Sequence, residues 1–274
     1  MEQATATGLG SPVLQRTRMR SDAWWKAPVT VVIVLGSFGV YSTWAAWQHA
    51  HYEIGEDATD GKAHYLSPFY SPHIPETWVS NLGIPQDGIF FHIFSPAFFI
   101  LWMPLGFRLT CYYYRKSYYR SFFADPPACA VREPGFRKKY HGETRFPFIL
   151  QNMHRYFLYL AILVVGFLGW DTLIAFNWDG EFGIGIGTLV LLLNLVLLAA
   201  YTFSCHSARH IIGGQLDCFS CDNLTEARYR GWKVVSSLNK NHMLWAWVSM
   251  FSVGLADLYI RLVSMGILHD VRLF

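Results

Sequence analysis

Phe182-Gly-Ile-Gly-Ile-Gly-Thr-Leu-Val-Leu-Leu-Leu-Asn-Leu-Val-Leu-Leu-Ala-Ala-Tyr-Thr-Phe-Ser204 runs for 23 residues without a charged side chain. A helix needs about 20 such residues to cross the hydrocarbon core of a bilayer. The apolar residues are continuous rather than alternating, so the pattern is that of a membrane helix and not of a barrel strand. Working outward, four further runs have the same character: 27–47, 89–107, 156–176 and 243–260. The second is interrupted by His92, Pro96 and Pro104, the third carries Asp171, and the fifth carries Asp257 near its end. The composition agrees. Of the 274 residues, 53% are hydrophobic and only 15% are charged, against about 25% charged in an average globular chain. Disordered, fibrous and disulfide-scaffold classes are excluded. The expected fold is an all-α integral membrane protein, a five-transmembrane-helix bundle in the lipid bilayer. Its parts are an N-terminal segment over 1–26 and a single anchor domain over 27–274.

The formal net charge of +3 is too small to suggest nucleic acid, but its distribution is informative. Assigned alternately to the two faces, the connecting segments place 19 Lys and Arg on one face and 3 on the other. Basic residues stay cytoplasmic, which predicts a cytoplasmic N-terminus and an external C-terminus. The apolar part of the N-terminal region is a full span without a small-residue cleavage site, so no cleavable signal is expected. The external 48–88 loop is acidic, Pro-rich and aromatic, and reads as an ordered cap.

All five cysteines, Cys111, Cys129, Cys205, Cys218 and Cys221, fall on the basic, cytoplasmic face. Disulfides are disfavoured in a reducing compartment, which leaves buried thiols or metal ligands. The densest stretch is Ser204-Cys-His-Ser-Ala-Arg-His-Ile-Ile-Gly-Gly-Gln-Leu-Asp-Cys-Phe-Ser-Cys221. His206 and His210 share one helix face, and Cys218 and Cys221 form a C-x-x-C knuckle that offers two thiolates to one metal. Spacing therefore selects His206, His210, Cys218 and Cys221 for a tetrahedral zinc or a Rieske-type [2Fe–2S] cluster. The plain alternative is interfacial histidines and small core cysteines. Cys111, Cys129, Cys205, His154 and His242 remain alternative ligands.

Other polar residues have competing readings. Arg108, Cys111 and Arg115 share a face at the end of the second span. Arg and Tyr there either snorkel at the interface or bind quinone carbonyls, which nominates Arg108, Tyr112 and Arg115, with Trp245 or Trp247 stacking on the ring. Asp171 and Asp257 are either functional or paired with a neighbour such as Arg261.

Four stretches carry a resemblance: Cys111-Tyr-Tyr-Tyr-Arg-Lys-Ser-Tyr-Tyr-Arg-Ser-Phe-Phe-Ala-Asp-Pro-Pro-Ala-Cys129, Arg145-Phe-Pro-Phe-Ile-Leu-Gln-Asn-Met-His-Arg-Tyr156, the Cys205 to Cys221 stretch, and His242-Met-Leu-Trp-Ala-Trp247. They resemble the single five-helix membrane anchor of bacterial succinate dehydrogenase, respiratory complex II. The resemblance implies partner flavoprotein and iron–sulfur subunits, a bacterial plasma membrane, and delivery of electrons to quinone. It also implies a haem-free anchor with a Rieske-type [2Fe–2S] cluster. An ordinary Rieske protein has C-x-H and C-x-x-H boxes, and the boxes here, C-H-x-x-x-H and C-x-x-C, depart from that pattern. Two alternatives stay open: the same complex with haem b held by histidines such as His154 and His210, and a membrane scaffold or transporter with structural zinc.

Overall fold

The computed structural model describes residues 23, 25–54, 63–74, 95–123, 144–146 and 148–274. His92 and Cys129 lie outside the described residues. Among those described, four helices are long and apolar enough to cross a membrane. They are α1 (Lys26–Gln48), α4 (His154–Ile174), α5 (Ile186–Phe203) and α8 (His242–Ser264). A shorter apolar helix, α2 (Pro96–Thr110), covers most of the expected second span, and 89–94 lie outside the described residues. A continuous helix satisfies its own backbone groups, which lipid cannot do, so apolar runs of this length fold as helices.

Three boundaries differ from the sequence expectation. The fourth span starts at Ile186, not Phe182, because Asn177–Trp178 (β3) and Glu181–Phe182 (β4) pair as an antiparallel hairpin. Asp179 and Gly180 supply its turn, both at positive φ. The fifth span extends beyond 243–260, since α8 runs from His242 to Ser264, 23 residues. The third is lengthened by a 3-10 segment, Phe148–Met153, leading into α4.

Helix α3 (Tyr112–Phe123) follows α2 after a break at Cys111 and packs on α1. Helices α6 (His206–Gly213) and α7 (Asn223–Asn239) pack together between α5 and α8 in sequence. In the bundle, α8 lies on α5, α5 on α4, and α4 on α2. Helices α2 and α4 approach closely at Gly106, where a Cβ would sit 2.1 Å from the Phe157 ring.

The two ends of the bundle are built from different segments. One end joins the 63–71 segment, the β3–β4 hairpin and the chain end. Ala63 bridges Trp178, Gly185 bridges Arg272, and β1 (Glu53–Ile54) pairs with β2 (Tyr65–Leu66). Residues 65–71 are buried throughout, as an ordered cap requires. Asp257 and Arg261 sit at this end, 0% and 1% exposed and joined at 2.8 Å. The Asp257 carboxylate also accepts from Tyr41 at 2.6 Å and from Ser67. The Arg261 guanidinium donates to Gln48 Oε1 and the carbonyls of Ala50 and Ala45, each at 2.7 Å. Asp257 thus has the structural pairing with Arg261 that the sequence allowed. The opposite end gathers Cys111, His154, Cys205 and His242.

Candidate functional site

Each of these four residues stands at a helix boundary. Cys111 closes α2, Cys205 follows α5 and opens α6, His154 is the first residue of α4, and His242 is the first of α8. Such positions let a side chain turn across the end of a bundle rather than into the next helix. The four form two pairs. His242 Nε2 lies 3.4 Å from Cys111 Sγ, and His154 Nε2 lies 3.0 Å from Cys205 Sγ. Both sulfurs are buried, His242 is 2% exposed, and His154 is partly buried.

The hydrogen bonds fix which ring nitrogen is free. Thr110 donates its hydroxyl proton to the Gly106 carbonyl at 2.7 Å, so its oxygen accepts from His154 Nδ1 at 3.0 Å. Ser204 donates to the Tyr201 carbonyl at 3.0 Å and accepts from His242 Nδ1 at 2.7 Å. A hydroxyl has one proton to give. Both imidazoles therefore carry hydrogen on Nδ1 and turn an Nε2 lone pair toward a cysteine, the tautomer a metal ligand needs. Phe107 stacks on His154 at 4.7 Å and Tyr201 on His242 at 5.1 Å, which holds both ring planes. Burial raises the Cys111 and Cys205 thiols above the ordinary cysteine value. In the chain alone they are protonated, and each S–H has an imidazole lone pair to meet. The backbone N–H of Ser207 donates to Cys205 Sγ at 3.2 Å.

The arrangement is cross-linked in a regular way. Thr110-Cys111 gives its hydroxyl to His154 and its sulfur to His242, and Ser204-Cys205 gives its hydroxyl to His242 and its sulfur to His154. A chamber of about 400 Å3 opens beside the pairs, lined also by Tyr112, Arg115, Gln151 and His206. Among the described residues, no three His, Cys, Asp or Glu side chains converge on one point.

The ligand set selected by spacing is not brought together. Cys218 and Cys221 are bonded to each other as a disulfide, so neither sulfur is free for a metal. His210 is exposed and pairs with Arg155 at 3.1 Å, and His206 is exposed at the rim of the chamber. Spacing identified neighbours in sequence, whereas the fold brings together helix ends up to 131 residues apart.

A model of the actinobacterial succinate dehydrogenase subunit SdhC family matches residues 26–266. The chain belongs to this family. A solved chain of the Mycobacterium smegmatis Sdh1 complex in the apo form is similar to it, at 41% identity and a TM-score of 0.77, over 98% of this chain and 99% of that chain. No curated protein matches.

In this SdhC-family chain the five residues nominated for quinone separate into three places. Tyr112 and Arg115 line the chamber, with Arg115 over the Tyr112 ring at 5.0 Å. Arg108 points inward, donating to the Ala246 carbonyl at 2.9 Å and Ser249 Oγ at 3.0 Å. It also borders a second, mostly apolar cavity of about 270 Å3, lined by Phe107 and Tyr201 and reaching Pro68 and Phe69 of the cap. Trp245 donates to the Leu238 carbonyl at 3.2 Å, and Trp247 packs on Tyr114. Thr110, Ser204, Phe107 and Tyr201 were not anticipated from the sequence. A Ser/Thr-Cys dipeptide ending an apolar run, twice, was the available signal.

Proposed function

We propose that this chain is the membrane anchor and electron-relay subunit of a succinate:quinone oxidoreductase, and that Cys111, His154, Cys205 and His242 hold a [2Fe–2S] cluster. The observation that carries this reading is the crossed pair of cysteine–histidine contacts with both Nε2 lone pairs turned inward. The donor set fits the group. Two thiols and two imidazoles are the Rieske complement, and two iron centres take two protein donors each. A single tetrahedral zinc would want all four donors on one point. A haem held by His154 and His210 finds less support, because His154 faces Cys205 and His210 faces Arg155.

Bound there, the cluster would supply one-electron transfer between a peripheral iron–sulfur subunit and quinone. The chain's own part is positioning. Thr110 and Ser204 orient the imidazoles, Phe107 and Tyr201 fix their planes, and the Ser207 amide steadies one sulfur. The quinone reading is best supported at the apolar cavity that Arg108 borders, since one layer of aromatic rings separates it from the histidines. The basic face bearing the four donors is the docking surface for the iron–sulfur subunit, which in turn carries the flavoprotein. The remaining readings are five spans, with α2 completing the second, a cytoplasmic N-terminus and donor end, and the bacterial plasma membrane.

The test is iron, acid-labile sulfide and EPR analysis of the purified complex, with and without Cys111→Ser. The expected result is two irons and two sulfides for this site, with an EPR signal that Cys111→Ser removes. A Soret band without that signal, or zinc in place of iron, would overturn it.

A further inference from the structure

Tyr201 is 2% exposed, and its hydroxyl makes no hydrogen bond of full geometry, the Cys111 sulfur being the partner within reach. Its ring is held on three sides. The Arg108 guanidinium lies 4.7 Å above it, the His242 imidazole is stacked at 5.1 Å, and the Phe107 edge stands at 5.3 Å. The ring is thereby held beside His242, whose Nε2 lies 3.4 Å from the Cys111 sulfur, and Tyr201 and Cys111 pack in one buried cluster. Buried hydroxyls are nearly always paired in native folds, so an orphan at a cofactor site calls for a partner.

The chemistry of Cys111 says when the partner arrives. As a thiol, its one hydrogen faces His242 Nε2 and its sulfur is a weak acceptor. Metal binding replaces that hydrogen and leaves a thiolate, a much better acceptor. We propose that Tyr201 is a positioning residue of the relay: its hydroxyl donates to the Cys111 sulfur once that sulfur is a metal-bound thiolate, and raises the reduction potential of the group held there. Reduction adds negative charge to the site, and a donor aimed at a ligand sulfur stabilises the more negative state. The Arg108 charge over the same ring acts in the same direction. This inference rests on the cluster reading above.

The experiment is an EPR-monitored redox titration of the intact complex carrying Tyr201→Phe, which keeps the ring and removes only the hydroxyl. At the wild-type midpoint, the reduced-to-oxidised ratio is expected to fall about tenfold, equivalent to about 59 mV for a one-electron couple. Iron content should stay at the wild-type level. A change smaller than about twofold, below the effect of one hydrogen bond to a charged group, overturns the role of Tyr201. Where Tyr201→Phe does not load iron, resonance Raman of the wild-type complex in H2O and D2O replaces it. A deuterium shift of the Fe–Cys111 stretch, distinct from that of the Fe–Cys205 stretch on which the Ser207 amide acts, is expected when the Tyr201 hydroxyl bonds the Cys111 sulfur, and its absence overturns the proposal. A wild-type complex with no [2Fe–2S] signal overturns the cluster reading itself, an outcome distinct from an unshifted potential.

Discussion

Two buried polar networks, Asp257–Arg261 at one end of this bundle and the Cys–His pairs at the other, are built in opposite ways, although Ser71 Oγ, Asp171 Oδ2 and Trp178 Nε1 stay unpaired among the described residues at the first end. At the Asp257–Arg261 end, the carboxylate and the guanidinium bind each other and take hydrogen bonds from Tyr41 and Ser67 or give them to Gln48, Ala50 and Ala45. That network is closed and welds the cap to α8. At the Cys–His end, each Nε2 meets only a thiol, and the two sulfurs and the Tyr201 hydroxyl keep bonding capacity. A closed buried network specifies structure. An open one, kept in place by neighbours that are themselves satisfied, is where a ligand belongs.

The sharpest break in this comparison is at the histidines. His154→Ala with His242→Ala should abolish the cluster EPR signal and quinone reduction, while succinate oxidation with a soluble dye acceptor continues. Surviving quinone reduction would show that these histidines are not ligands. The next largest effect belongs to the closed end. Asp257→Ala leaves Arg261 buried without its carboxylate and should cost about 3–5 kcal/mol, read as a lower unfolding midpoint of the detergent-solubilised chain. A loss under about 1 kcal/mol, the worth of an exposed pair, would mean that the network is not closed. Smaller again are the hydroxyls that set the tautomers. Thr110→Val and Ser204→Ala should each weaken metal retention by about 10–100-fold, measured as iron loss to a chelator over time. Retention equal to wild type would separate the tautomer from ligation. The smallest effect is expected from the residues that spacing favoured. His206→Ala, His210→Ala, Cys218→Ser and Cys221→Ser combined should leave iron content and the EPR signal at wild-type levels, and loss of the cluster would restore that set.

Much of the fold could be read directly. Continuous apolar runs and their flanking bases place α1, α4, α5 and α8 within a few residues, because the bilayer imposes length and composition together. The hairpin at 177–182 was missed: Phe182 is as apolar as the helix it precedes, and only the turn at Asp179-Gly180 distinguishes the two. The site was half legible. The side of the chain on which cysteines accumulate was visible, and Cys111, His154, Cys205 and His242 stood among the alternatives. Their selection was not visible, because H-x-x-x-H and C-x-x-C are local patterns, whereas the pairs here span 131 and 51 residues. Contacts of that range depend on which helix ends meet, which hydropathy does not specify.

The helix-end placement of the four donors also has a consequence for how the molecule is made. Cys111, His154 and Cys205 emerge from the ribosome in that order, and His242 belongs to the last helix of the chain. No nascent fragment that stops short of His242 contains the whole set. Each Ser/Thr-Cys dipeptide is matched to two histidines on different helices, so a chain inserted only through Cys205 holds the His154–Cys205 pair but leaves Cys111 without its histidine. A metal group held by all four would therefore load only after α8 is in place, and a loaded centre would record that the bundle had closed.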